Sequence, residues 1–326
     1  MKTFLRYLSL AILFGGIGIS AFFSYHLMTH GIILTPEGKT PDMNVTGGIG
    51  DFIGGTVGAV FSLASALLVV LTLREQEDQN RKDRFAQSFY EMLHLHRENV
   101  ANLHLQKGGS KSFVGREVFS ELVADYGKTY CLIHSYCDNI VANRVSGEIH
   151  NYLIDPEKRS LFEMKIAYGY FFFGAEEYKL RQASDVEEEI QLEIKGLLHF
   201  NNYTISSHNV LLGHYYRHLY QTVMMLANER VLSEKEKYAY AKQLRAQLND
   251  DEQLLLYYNA MSEIGADWLY TKHRNISKPD KMCPMARFRM IKNIPFNKEI
   301  YGVNPKQLFK IEAQVISKRR EFMFEN

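Results

Sequence analysis

Twelve histidines are spread through the 326 residues, and two spacings among them have the form of metal chemistry. His214 and His218 stand four apart on a stretch that reads as helix, a spacing that can bring two imidazoles onto one ion. Glu91 and His94 form a Glu-x-x-His pair, the arrangement that carboxylate-bridged di-iron bundles use. Both patterns are short enough to arise by chance in a helical chain, HExxH is absent, and no second Glu-x-x-His stands on a matching helix. Structural or surface histidine is the simpler reading, so no metal, cofactor or catalytic residue is assigned. GxGxxG after a strand, GxxxxGK[ST] and GxSxG are also missing, which leaves nucleotide and acyl-transfer enzymes without an anchor. Cys137 has no local catalytic signature. With Cys131 and Cys283 it makes an odd set without CxxC spacing, which argues against a disulfide framework and fits a reducing compartment.

Charge offers a second kind of chemistry. From Lys272 to Lys292 the chain carries Lys272, Arg274, Lys278, Lys281, Arg287, Arg289 and Lys292 against one acid, Asp280. Such a segment can meet phosphates, on a nucleic acid or on lipid headgroups. The alternative is a solvated surface balanced by Asp185, Glu187, Glu188, Glu189 and Glu193. The formal net charge is only +1, so no global field steers the chain to nucleic acid and any contact must be local.

The elements that must position these residues begin with two uncharged apolar stretches, Tyr7–Tyr25 and Phe52–Leu73. Each reaches the roughly 20 residues an α-helix needs to cross a bilayer. We therefore expect a two-helix transmembrane hairpin over 1–73, with helices at about 5–27 and 52–73. A cleaved signal peptide is the alternative for the first stretch, but its apolar run is long and Phe22, Phe23 and Tyr25 follow Ala21 where a polar mature start belongs. Lys2 and Arg6 precede the first helix and Arg74, Arg81, Lys82 and Arg84 follow the second, whereas the loop between them holds only Lys39. Counting Lys and Arg places both termini in the cytosol, as a two-pass protein of a bacterial inner membrane.

Small residues recur every fourth position in the second stretch, at Gly50, Gly54, Gly58, Ser62 and Ala66, and in the first at Gly16, Ser20 and Ser24. In lipid, helices associate through close backbone approach, which such faces permit. They pack the hairpin on itself, or one stripe packs within the chain and the other between copies. No charge lies inside either span, which argues against an ion pathway.

Beyond Arg74 the chain reads as mostly α: a helical domain over 74–264, then a basic C-terminal segment over 265–326. Phe85, Phe89, Met92, Leu93 and His96 recur at helical spacing, in a helix expected to run to about Gln106. Further helices are expected at 115–145, 160–182, 187–199, 208–228 and 233–263. Ser233 with Glu236 forms a capping box opening the last.

Several segments together resemble a family of bacterial phage abortive infection membrane proteins. They are Gly50–Gly58 opening the helix that ends Leu71-Thr72-Leu73-Arg74, Phe85–His96 with Asn99-Val100, the heptapeptide His214-Tyr215-Tyr216-Arg217-His218-Leu219-Tyr220, and Leu244–Leu248 leading to Glu252 and Leu255–Asn259. The resemblance runs over most of Gly50–Asn259. It implies an antiviral effector that arrests or kills the infected cell, self-associating in the bilayer. Similar two-helix effectors of retron systems imply restraint by a reverse transcriptase and its RNA–DNA hybrid. Two other classes stay open: a membrane-tethered metal-dependent nuclease or hydrolase using Glu91, His94, His214 and His218, and a non-toxic scaffold or receptor.

Overall fold

Helix accounts for nearly all the regular structure, in keeping with the scarcity of period-two patterns. A computed structural model describes residues 2–29, 47–48, 50–51, 53–108, 111–180, 183–269, 283–295 and 297–305. The chain divides into two units, Met1–Ala86 and Gln87–Asn326.

The first unit holds α1 (Lys2–Thr29), a π-helical turn (Ile53–Val57) and the start of α2 (Gly58–Ala101). With its leading turn the second helix, Gly54–Ala101, is long and apolar enough to cross a membrane, and α1 carries a shorter apolar run, Tyr7–Phe23. Gly16 makes the close approach between them: a Cβ there would lie 3.0 Å from Val60 Cγ1. Ser20 turns its hydroxyl back onto the Gly16 carbonyl at 2.8 Å instead of across to a partner. On the second helix Ala64 and Leu71 are buried, while Gly54, Gly58, Ser62 and Ala66 are exposed, as is Gly50 just before it. Ser24 falls within α1; the connecting loop, with Pro36, Gly38 and Pro41, lies outside the described residues.

The second unit is a bundle around two helices that are buried nearly all round. These are α5 (Pro156–Phe173) and α9 (Asp250–Met261), whose residues from Phe162 to Phe172 and from Glu252 to Met261 are all buried or nearly so. A helix without a polar face must sit inside, and α9 packs on both α5 and α3 (Glu117–Ala142). The amphipathic α3 turns Val118, Leu122, Tyr126, Ile133, Cys137 and Ile140 inward, and Tyr126 stacks on Tyr258 with ring centroids 4.0 Å apart. One carboxylate enters this core with partners: Glu163 accepts from Tyr130 Oη at 3.0 Å and Arg159 Nε at 2.7 Å, with His134 Nδ1 at 2.9 Å. Those bonds offset a desolvation cost that an unpaired carboxylate could not bear. Around the core lie α4 (Glu148–Ile154), α6 (Asp185–Phe200), α7 (Asn209–Asn228), α8 (Glu234–Arg245) and the short α10 (Pro284–Phe288).

Local chemistry explains where the helices start. Asp155 caps α5, accepting from the N–H groups of Glu157 and Lys158, with Pro156 at the first helical position where its missing N–H costs nothing. Ser184 with Glu187 and the expected Ser233 with Glu236 form capping boxes.

Three expectations are corrected. The helix expected over 233–263 is two, because Asn249 and Glu252 form another capping box that opens α9 after a break at Ala246–Asn249. The helix expected to reach Gln106 stops at Ala101, and an antiparallel hairpin follows, β1 (His104–Lys107) on β2 (Lys111–Val114), with Leu105 opposite Phe113. Four-residue strands carry too little alternation to be read against a strong preceding helix. Finally, residues expected in a separate C-terminal segment lie in this unit's core: Ala266, Trp268, Leu269, Cys283, Met285, Phe288, Met290, Ile291 and Ile294 are buried.

Candidate functional site

The heptapeptide His214–Tyr220 occupies the middle of α7, and two of its faces carry polar side chains. Leu212, Tyr215, Leu219, Val223 and Leu226 form the buried stripe that seats the helix. Because adjacent residues on a helix are about 100° apart, Tyr215 and His218 fall on one flank, and Gly213, Tyr216, Arg217 and Tyr220 on another.

On the first flank a buried polar seam gathers side chains from four distant stretches. His96, near the end of α2, stacks on His218 with centroids 6.1 Å apart and 21° between planes, and lies 5.4 Å from the Tyr215 ring. Both ring nitrogens of His96 and of His218 are buried without a hydrogen-bond partner, as are Tyr215 Oη and Glu252 Oε1. Glu252 enters from the first turn of α9, where its other oxygen accepts the Asn249 N–H at 3.1 Å. Arg116 adds a charge from just before α3 while its guanidinium donates to the Gln247 carbonyl at 2.9 Å.

Burial sets the protonation of this seam. It pulls His96 down to about 4, helped by the neighbouring His218 and Arg116. His218 is lowered by burial and by His214. Glu252 is pushed up to about 7, again chiefly by burial, with the Asn249 N–H and Arg116 pulling the other way. Near neutral pH the seam therefore holds neutral imidazoles beside a carboxyl poised to gain or lose a proton. Burial and the nearby Glu163 push the Cys137 thiol well above the usual range, which disfavours the thiolate.

The second flank opens to solvent. There a cavity of about 560 Å³ is bounded by α7, by Phe172 and Phe173 at the end of α5, and by Asn259, Gly265, Asp267 and Trp268. Gly265 is needed for that wall, since a Cβ would fall 2.2 Å from Asn259 Oδ1. Tyr220 meets Trp268 edge to face at 5.2 Å. Another cavity, of about 510 Å³, lies by Lys107, Asp125, Thr129 and His208. Its charges answer one another: Lys107 pairs with Glu121 and Asp125, and His208 Nε2 is 3.7 Å from Asp125.

Residues 207–299 match the model of the family described as "Putative phage abortive infection protein". No curated protein and no solved structure matches the chain. The abortive infection match takes in α7 to α10, and with them Tyr215, Arg217, His218, Glu252 and Trp268, but not His96. It begins later than the expected Gly50 and continues past Asn259 through Arg287, Arg289 and Lys292.

The residues singled out from spacing are placed differently from one another. Glu91, His94 and His214 are exposed, and His94 Nδ1 faces Glu98 at 3.6 Å. Among the described residues no three His, Cys, Asp or Glu side chains form a group able to hold a metal ion. Lys272, Arg274, Lys278 and Lys281 lie outside the described residues. Arg287 is paired with Glu234 through its Nε and Nη2, at 3.2 and 2.7 Å, and Arg289 packs over the Tyr238 ring at 5.4 Å. His96, Tyr215 and Glu252 appeared in the sequence only as members of recurring segments. The Asn249-x-x-Glu252 pattern was the one local signal that pointed to any of them.

Proposed function

We propose that this protein is a membrane-tethered effector of phage defence, acting by abortive infection through damage to the bacterial inner membrane. The match over residues 207–299 supports the defence role. The observation that carries the membrane part is the surface of the first unit. Over the most apolar stretch of Gly54–Ala101 only 11% of residues are buried, and Leu63, Leu68, Val69, Val70 and Leu73 are exposed along with Phe14, Ile17, Ile19 and Phe22 of α1. A core helix of a soluble protein would hide such side chains, whereas lipid accepts them. In this reading α1 and the second helix form a two-pass hairpin with both termini in the cytosol.

The small-residue stripes divide their work. Gly16 supports contact within the chain, whereas Gly54, Gly58, Ser62 and Ala66 are exposed and suit close packing against another copy. Restraint before infection falls to the cytosolic domain, held by a partner such as a reverse transcriptase with its RNA–DNA hybrid. Replacing Gly54 and Gly58 together by Leu tests the stripe, with membrane potential followed during phage infection. The double variant should reach the membrane fraction at normal levels and fail to depolarise the cell. Depolarisation equal to wild type would sink the assignment of that face, and recovery of the native chain in the soluble fraction would sink the membrane reading itself.

A further inference from the structure

We propose that the docked end of α2 is an acid-released latch, in which protons taken up at His96 and His218 free the last turns of that helix from α7. α2 runs unbroken from Gly58 to Ala101, so the stretch long enough to cross a membrane and the docked end belong to one helix. Phe89, Leu93, His96 and Val100 recur at helical spacing and are all buried, which makes them the stripe that seats this end. His96, only 1% exposed, is the polar member of the stripe, and it meets α7 through the rings of His218 and Tyr215. A neutral imidazole fits such a place as an aromatic ring. An imidazolium brings two N–H donors, and no ring nitrogen of His96 or His218 has a hydrogen-bond partner. A charge formed there is buried and unpaired, so the docked arrangement refuses a proton that a solvated imidazole accepts.

The surrounding charges decide the direction. From α7 come His218 and, acting on it, His214; from the stretch before α3 comes Arg116. Each adds repulsion to an imidazolium at His96. On α2 itself His94, Arg97 and Glu98 are exposed. Glu252, with Asp251 beside it, enters from α9 and works the other way: burial raises its pKa to about 7, so the docked seam gains a proton there as pH falls. Burial lowers both imidazoles, so each is protonated more readily once the helix end has lifted. Acid therefore favours release through the histidines, and Glu252 is the brake on it.

What release does to a bilayer rests on the membrane reading above. The release itself does not, and it is measured on purified full-length protein in detergent. In a Cys131→Ser background, which leaves only the buried Cys137 and Cys283, Val100→Cys puts a thiol on the seated stripe and Ala101→Cys puts one next to it in solvent. The ratio of their rates of maleimide labelling cancels the pH dependence of the thiol and reports how often the helix end lifts. With the brake removed by Glu252→Gln, the ratio should rise about ten-fold or more from pH 7.5 to pH 5.5, the factor conferred by one imidazole whose pKa moves from about 4 to its ordinary 6.5. Adding His96→Phe should cut that rise about ten-fold, and His96→Leu asks the same question where the phenylalanine variant does not fold. Restoring Glu252 should flatten the rise. A ratio that does not change with pH in the Glu252→Gln protein overturns the proposal, as does a rise that both His96 variants leave intact. Val100→Cys labelled as fast as Ala101→Cys at pH 7.5 overturns it as well, since no latch is then closed.

Discussion

Replacing Glu252 by Gln should stabilise the protein, and by an amount that depends on pH. The carboxyl is pushed up from 4.5 to about 7 in the folded chain, chiefly by burial. A carboxyl whose folded pKa is raised contributes most below its unfolded pKa, and that contribution is lost as pH rises through the folded value. The gap of about 2.5 pK units, at 1.36 kcal/mol each, sets an upper bound of about 3 kcal/mol on the penalty at pH 8. Near pH 5.5 the same linkage leaves about 1 kcal/mol. Glutamine keeps an acceptor for the Asn249 N–H, so the cap on α9 survives. Urea denaturation of wild type and E252Q in the same detergent, at pH 8 and pH 5.5, gives the difference in unfolding free energy, and groups common to both cancel. The variant should gain at pH 8 and keep about a third of that gain at pH 5.5. A difference that does not change with pH, or a variant less stable at pH 8, would refute burial as the source of the shift.

Three further outcomes follow from the same region. His96 is pulled down from 6.5 to about 4, so its contribution is intact above pH 6.5 and lost as pH falls toward 4. His96→Phe, which keeps a ring against His218 and Tyr215 without a titratable group, should remove up to about 3 kcal/mol of that acid sensitivity in denaturation curves at pH 7 and pH 4.5. Gly265→Ala should lower the melting temperature, since its Cβ would lie 2.2 Å from Asn259 Oδ1, an overpacking that costs about 1–3 kcal/mol. Gly213→Ala, whose Cβ would rest in ordinary contact 3.8 Å from Phe172 Cζ on a helical backbone, should match or exceed wild type, by up to about 1 kcal/mol.

Much of this protein was legible without coordinates because the signals are local. A run without charges from Phe52 to Leu73 needs no partner to be recognised as apolar, and Ser233 reaches Glu236 three residues away whatever the rest of the chain does. The mostly helical class followed from 3.6-residue periodicity. Where local signals overlapped, the stronger one hid the weaker: the period continuing through α8 concealed the break at Ala246–Asn249, and the long α2 concealed the hairpin after it.

The site depended on the tertiary fold. His214 and His218 looked alike in sequence, four apart on one helix, yet only His218 meets His96, because packing α7 beside the end of α2 chooses one face and leaves the other wet. Glu252 is an acid whose pKa lies near neutrality, chiefly because of the water it loses on folding. Arg287, one of the possible phosphate contacts in the sequence, is paired with Glu234, a residue far away in sequence that folding brings alongside. Periodicity and charge are properties of a segment, whereas burial and pairing belong to a surface that exists only after the helices have met.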